Sequence, residues 1–202
     1  MNKIKFFNFV LFLFISFSHN INSSCDKAEN ASRVTIAGGS LTEIVYLLGQ
    51  ENKLVAVDIT SNYPKEAKEL PSIGYVRALS AEGVLSLSPT LILGEDDTGP
   101  AAVIEQLSRV GIQIEIIPEE NTANGIIKKV KCVAEILGVD SIIKDKTLNN
   151  LNAVAKELKL LSETNKKEPP KVMFILSMES GSPTVGGVDT SAHGLIKMTG
   201  AI

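Results

Sequence analysis

Tyr75 and Arg77 stand two residues apart in the stretch Ile73-Gly74-Tyr75-Val76-Arg77-Ala78, after a turn at Pro71 and before a helix-forming segment. A phenol that has lost its proton is a hard oxygen donor, and a neighbouring guanidinium favours the charged phenolate. The pair has the chemistry of a ferric-iron ligand, with one directed oxygen and one fixed positive charge beside it. The same spacing also suits a loop tyrosine that only packs, so the surrounding elements must decide between the two.

Other reactive groupings are weaker. Gly38-Gly39-Ser40 lies between an apolar β-branched run and a helical pattern, where phosphate-binding loops occur. It is not the dinucleotide fingerprint, because the third and sixth positions counted from Gly38 are Ser40 and Glu43. No Walker lysine follows, although Asp58 stands after the second strand as an acidic residue does in dinucleotide folds. A nucleotide-dependent enzyme stays as an alternative, and so does a helix N-terminus that offers its N–H groups to an anion. Nucleophilic catalysis finds no partner set: His193 is the only histidine after His19, and Ser177 and Ser191 have no evident base. Neither is there a His/Cys pattern of the zinc type. The chain reads as a non-enzyme.

The chain has 202 residues, 44% of them apolar, and a net charge of −3, which fits a globular protein with room for one full domain and part of another. Its lysines are scattered and its aromatics few, so nothing suggests a nucleic-acid surface. Residues 1–24 have the layout of a secretory signal: a basic start at Lys3 and Lys5, a short apolar run from Phe6 to Phe17, then small and polar residues to Ser24. The mature chain is expected to begin between His19 and Cys25 and to be exported to the periplasm. Lipidation of Cys25 remains open; Ser24 suits the position before a lipid-bearing cysteine, and Asn22 does not suit the place where an aliphatic residue is usual. The two cysteines could pair in an oxidising compartment. With Cys25 on a flexible tail, the expectation is that Cys132 is instead a buried small apolar residue.

The elements alternate strand and helix. Strands are expected at Arg33–Ala37, Lys53–Val57, Thr90–Leu93 and Gln113–Ile117. Helices are expected at Leu41–Leu48, with Ser40 as N-cap and Glu43 completing a capping box, and at Ser80–Leu87, Ala101–Val110 and Asn124–Leu137. This order implies crossover connections and a parallel sheet covered on both faces. From Ser141 to Thr164 runs one helical pattern without Gly or Pro, about 36 Å long at 1.5 Å per residue, with Leu148, Leu151, Val154, Ala155, Leu158 and Leu161 as its apolar stripe. Such a length suits a strut between two lobes. A further strand is expected at Lys171–Leu176, then a Gly/Ser/Pro loop and a helix at Thr190–Met198. The resulting organisation is a signal over 1–24, an α/β lobe over 33–139, a linking helix over 140–165, and the start of a second, incomplete α/β lobe over 171–202. The fold class is α/β, two Rossmann-like lobes with parallel sheets joined by one long helix.

This order of features resembles the substrate-binding proteins of bacterial ABC importers for haem, siderophores and cobalamin, and within them the periplasmic haem-binding branch. The resemblance runs from about Arg33 to the C-terminus. Its specific part is Gly74-Tyr75-Val76-Arg77. Val34 to Tyr46, Leu79-Ser-Ala-Glu-Gly-Val84, Ser88-Pro89, Ser182-Pro-Thr184 and Asp189-Thr190 share it more loosely. The resemblance implies that haem is the carried ligand, with Tyr75 the axial oxygen on ferric iron and Arg77 holding its phenolate. It implies that Glu82 docks into the membrane permease and that the protein works as a monomer. Where some haem-binding relatives carry a histidine in the second lobe, this chain has Met178, which either lines the porphyrin pocket or offers a thioether to the iron. A siderophore or cobalamin carrier of the same architecture is the alternative.

Overall fold

A computed structural model of the chain describes residues 25–165 and 168–202. The signal segment, residues 1–24, lies outside the described residues. Four short strands, β1 (Val34–Ala37), β2 (Leu54–Val57), β3 (Leu91–Glu95) and β4 (Gln113–Ile117), form one parallel sheet in the order β2-β1-β3-β4. Val34 lies opposite Leu54 on one side and Leu91 on the other, and Leu91 lies opposite Gln113. The strands read as continuous apolar runs because both faces of the sheet are covered.

The helices divide between the two faces. α1 (Gly39–Leu47) and α4 (Ala123–Ile136) cover one face, where Leu41, Val45, Val130 and Val133 pack on Val34, Ile36, Leu91 and Leu93. α2 (Ala81–Leu85) and α3 (Ala101–Arg109) cover the other, where Val84 and Leu107 pack on Ala37, Ala56 and Ile92. Ile36, Leu91, Ile92, Leu93 and Leu107 are fully buried, each contributing about 1.5–3 kcal/mol relative to exposure.

α5 (Ser141–Asn165) is the long helix, 25 residues or about 37 Å. It lies against α4, with Leu148 and Leu151 packed on the first core cluster. Its stripe is narrower than the sequence suggests: Val154 is 60% and Leu161 62% exposed. Beyond it the chain forms an antiparallel hairpin, β5 (Ile175–Glu179) with β6 (Ser182–Val185), then α6 (Ser191–Met198). The strand thus starts four residues later than expected, and Ser182–Val185, expected as loop, is strand. The cause is the two-residue turn at Ser180 and Gly181, whose φ values of 50° and 83° give the doubly left-handed turn that joins tight hairpins.

Two further expectations fail. Ser40 does not cap α1; the N-cap is Gly38, which has no side chain to cap with, so there is no capping box with Glu43. Cys132 is not a free apolar residue: it is disulfide-bonded to Cys25, and residues from Cys25 onward pack on the domain rather than forming a loose tail.

On β1, the Thr35 side chain is fully buried and its hydroxyl has no hydrogen-bond partner among the described residues. An unpaired buried hydroxyl costs about 1–3 kcal/mol. Thr35→Val, of the same shape, is expected to raise the urea unfolding free energy by about 1 kcal/mol.

Candidate functional site

The order in which strands are added to the sheet reverses between β1 and β3: β1 connects outward to β2 on one side, and β3 to β4 on the other. In open parallel sheets this switch point leaves a crevice at the carboxyl ends of the strands, where ligands bind. Here that edge gathers the turn after β1, the segments after β2, the Glu95–Gly99 loop after β3 and the Pro118–Thr122 loop after β4.

The turn after β1 is held from β2. The Asp58 carboxylate, 2% exposed, accepts hydrogen bonds from Gly38 N at 3.1 Å, Thr60 N at 3.0 Å, Thr60 Oγ1 at 2.7 Å and Ser61 Oγ at 2.9 Å. Thr60 Oγ1 in turn accepts from Gly39 N at 3.1 Å. The N–H groups of Gly38 and Gly39, at the start of α1, are thereby taken internally and are not offered to an anion. Gly38 has φ 138°, and a Cβ there would meet Glu95 Cδ at 2.6 Å. Its glycine serves a close approach to the β3 edge rather than a phosphate.

Tyr75 reaches this edge by an extra pairing beside β2. Ser72 bridges Val57, and Ile59 N donates to Gly74 O at 2.9 Å. Tyr75 O then accepts from Ala78 N at 2.8 Å, closing a turn over 75–78. Two backbone bonds, Gly99 N to Val76 O and Leu79 N to Gly99 O, lock that turn to the loop after β3. Tyr75 is 41% exposed. Arg77 Nε and Nη2 both lie 2.8 Å from Asp97 Oδ2. The guanidinium pKa is raised above its ordinary value first by the hydrogen bond to Asp97, then by the charge of Tyr75, then by that of Asp97. The structure thus brings Tyr75 and Arg77 to one turn, with Asp97 as a third member that sequence reasoning missed.

The other sequence-predicted residues are apart from this turn. Glu82 is exposed in the first turn of α2, behind the Ser80 N-cap, whose hydroxyl accepts from Gly83 N at 3.3 Å. Met178 is 61% exposed on β5, opposite Pro183. A groove of about 690 Å³ lies between α1, α4 and α6, with Leu47, Tyr63, Ile126 and Leu195 among its apolar lining and Ser40 and Lys129 at its polar end. None of Tyr75, Arg77, Glu82 and Met178 lines it.

At that polar end sits a charge cluster the sequence analysis also missed. Lys129, 8% exposed, is 2.7 Å from both Glu95 Oε1 and Glu119 Oε1, and 2.6 Å from Ser40 Oγ, which also bonds Glu95. One signal was available: Lys129 falls on the buried stripe of α4 with Gly125, Cys132 and Ile136, and a lysine at such a position requires a buried partner. The cluster joins the ends of β3 and β4 to α1 and α4. Lys129→Met, which strands the buried Glu95 carboxylate, is expected to cost about 3–5 kcal/mol in urea unfolding, and Lys129→Met with Glu95→Gln to recover part of that loss.

Comparison with known proteins places this geometry. Residues 34–201 match the family described as periplasmic binding protein. Among solved structures the chain is similar to the periplasmic heme-binding protein RhuT of Roseiflexus sp. RS-1 in apo form, with TM-score 0.77, 30% identity, and coverage of 86% of this chain and 65% of that one. Among curated relatives it is 28% identical over 138 residues to an ABC transporter substrate-binding lipoprotein, YvrC, of Bacillus subtilis (strain 168), covering 67% of this chain and 43% of the relative. It is 38% identical over 87 residues to the vitamin B12-binding protein of Yersinia pestis (strain Pestoides F), covering 43% of this chain and 31% of the relative. The chain therefore spans less than half the length of these curated relatives and about two thirds of the solved structure. With an α/β sheet of parallel strands matching that fold and a family match over nearly all of the described residues, the chain belongs to the periplasmic binding protein family.

Proposed function

We propose that the protein is the extracytoplasmic, monomeric haem-binding component of an ABC importer, carrying ferric haem to a membrane permease without performing chemistry. The observation that carries this reading is the Tyr75–Arg77 turn: Tyr75, 41% exposed, is held by backbone bonds at the carboxyl edge of the sheet, and Arg77 leaves the same turn with its guanidinium on Asp97. In this reading Tyr75 is the ligand to the iron and Arg77 favours its phenolate. Asp97, which holds Arg77, limits how much of that positive charge reaches Tyr75. The likeness to a haem-binding structure at 30% identity supports the choice of ligand.

The lobe over 33–139 provides this edge, the helix over 140–165 links, and the segment 171–202 begins a second lobe that faces it. Met178 contacts the porphyrin from that lobe or adds a thioether ligand. Glu82, exposed on α2, docks to the permease. A stiff connecting helix implies modest lobe closure. The second reading is a cobalamin carrier, favoured by the identity to a vitamin B12-binding protein over 87 residues. It makes no use of a phenolate–iron bond; a siderophore carrier shares that property.

A titration with ferric haem followed by absorption separates these readings. The expected result is a saturable tyrosinate-type spectrum that disappears in Tyr75→Ala and weakens about 10-fold in affinity in Arg77→Ala. Binding unchanged by Tyr75→Ala removes the ligand assignment. Saturable binding of cobalamin with no specific haem spectrum moves the assignment to the second reading.

A further inference from the structure

Cys25 and Cys132 are 107 positions apart in the sequence, yet their Cα atoms lie 4.9 Å apart and their sulfurs are bonded. We infer that Cys25 is a structural cysteine whose sulfur is consumed by Cys132, so that the exported chain is closed by this link and not tethered to a membrane through lipid on Cys25. The inference is independent of which ligand the protein carries.

The chemistry makes the two fates exclusive. Lipidation places a diacylglyceryl group on the cysteine sulfur as a thioether, and a sulfur so alkylated cannot join a disulfide. In the alternative, one cysteine thiolate attacks the disulfide of a periplasmic thiol oxidant and forms a mixed disulfide. The second thiolate then displaces the oxidant, which leaves as a dithiol holding the two electrons. Two thiol protons are lost and one S–S bond is made. This exchange suits an oxidising compartment and not the cytosol.

The segment around Cys25 is built for the link rather than for a tether. Ala28 is 6% exposed, and its N–H donates to Ile136 O at 2.9 Å, at the end of α4. Glu29 N donates to Gln113 Oε1 at 3.0 Å, at the start of the edge strand β4. The Lys27 side chain lies over Gly138, so close that a Cβ there would meet its Cε at 2.8 Å. Cys25 itself packs on the first core cluster, and Cys132 is 5% exposed. These contacts turn residues 25–29 into a strap across the end of α4. A lipid anchor at Cys25 would either hold the α4 end of the domain against the bilayer or require the strap to peel away. Peeling would expose Ala28 and free fewer than ten residues ahead of β1, at most about 3.5 Å of reach for each.

The test is a disulfide map of the full chain, expressed from Met1 with export into the periplasm of a Gram-negative host. Free thiols are alkylated before any reduction, and the digest is read by mass spectrometry. The expected result is one cross-linked pair of peptides containing Cys25 and Cys132, two hydrogens lighter than the separate thiol peptides and parted only by a reductant. In Cys132→Ser, Cys25 is expected to alkylate without reduction; should that variant fail to fold, the wild-type map alone decides. A Cys25 peptide carrying a diacylglyceryl thioether, or both cysteines alkylated before reduction, overturns the inference.

Discussion

The pairing of β1 on both sides is the constraint on which the rest of the molecule depends. Val34 and Ile36 take their backbone partners from β2 on one side and β3 on the other, so the turn that leaves β1 opens at the centre of the sheet. Parallel strands need crossovers, the crossovers put helices on both faces, and the edge where the strands end carries the polar groups of the loops that follow them. Three strands contribute acidic anchors to that edge: Asp58 after β2, Glu95 and Asp97 at and after β3, and Glu119 after β4. A slip of one residue in β1 would turn Val34 and Ile36 away from α1 and α4 and break the Asp58 contact to Gly38.

Charge at this edge is sorted by burial. Lys129 and Glu95 are nearly out of solvent, and their attraction must offset the desolvation of both, so the pair specifies how four elements meet more than it stabilises them. Arg77 and Asp97 are exposed, with 63% and 39% of their side chains in solvent, and such a pair contributes little. A weak pair can exchange partners. That freedom suits a guanidinium asked to face both a fixed carboxylate and a tyrosine whose charge depends on its ligand.

The first lobe was largely legible from local pattern. β4 falls on the expected residues, and α3 and α4 end one residue before the expected ends at Val110 and Leu137, because apolar period and helix-ending glycines are local signals. What escaped depends on distant partners. Ser40 reads as a cap until Glu95 and Lys129 are seen to claim its hydroxyl. Cys25 reads as tail residue because nothing near it in sequence reveals Cys132. That Tyr75 and Arg77 share one turn follows from their spacing, but Asp97 was not legible, since only the backbone bonds to Gly99 bring its loop alongside. The hairpin at Ser180–Gly181 was hidden by its composition, in which small residues and a proline look like loop.

The central claim is that iron is held by Tyr75 at the carboxyl edge of the sheet. A crystal structure of the protein with ferric haem tests it most directly. The account predicts continuous density between the iron and Tyr75 Oη, with Arg77 beside that oxygen. A porphyrin seated instead in the groove lined by Tyr63 and Leu195, with its iron away from Tyr75, would contradict it.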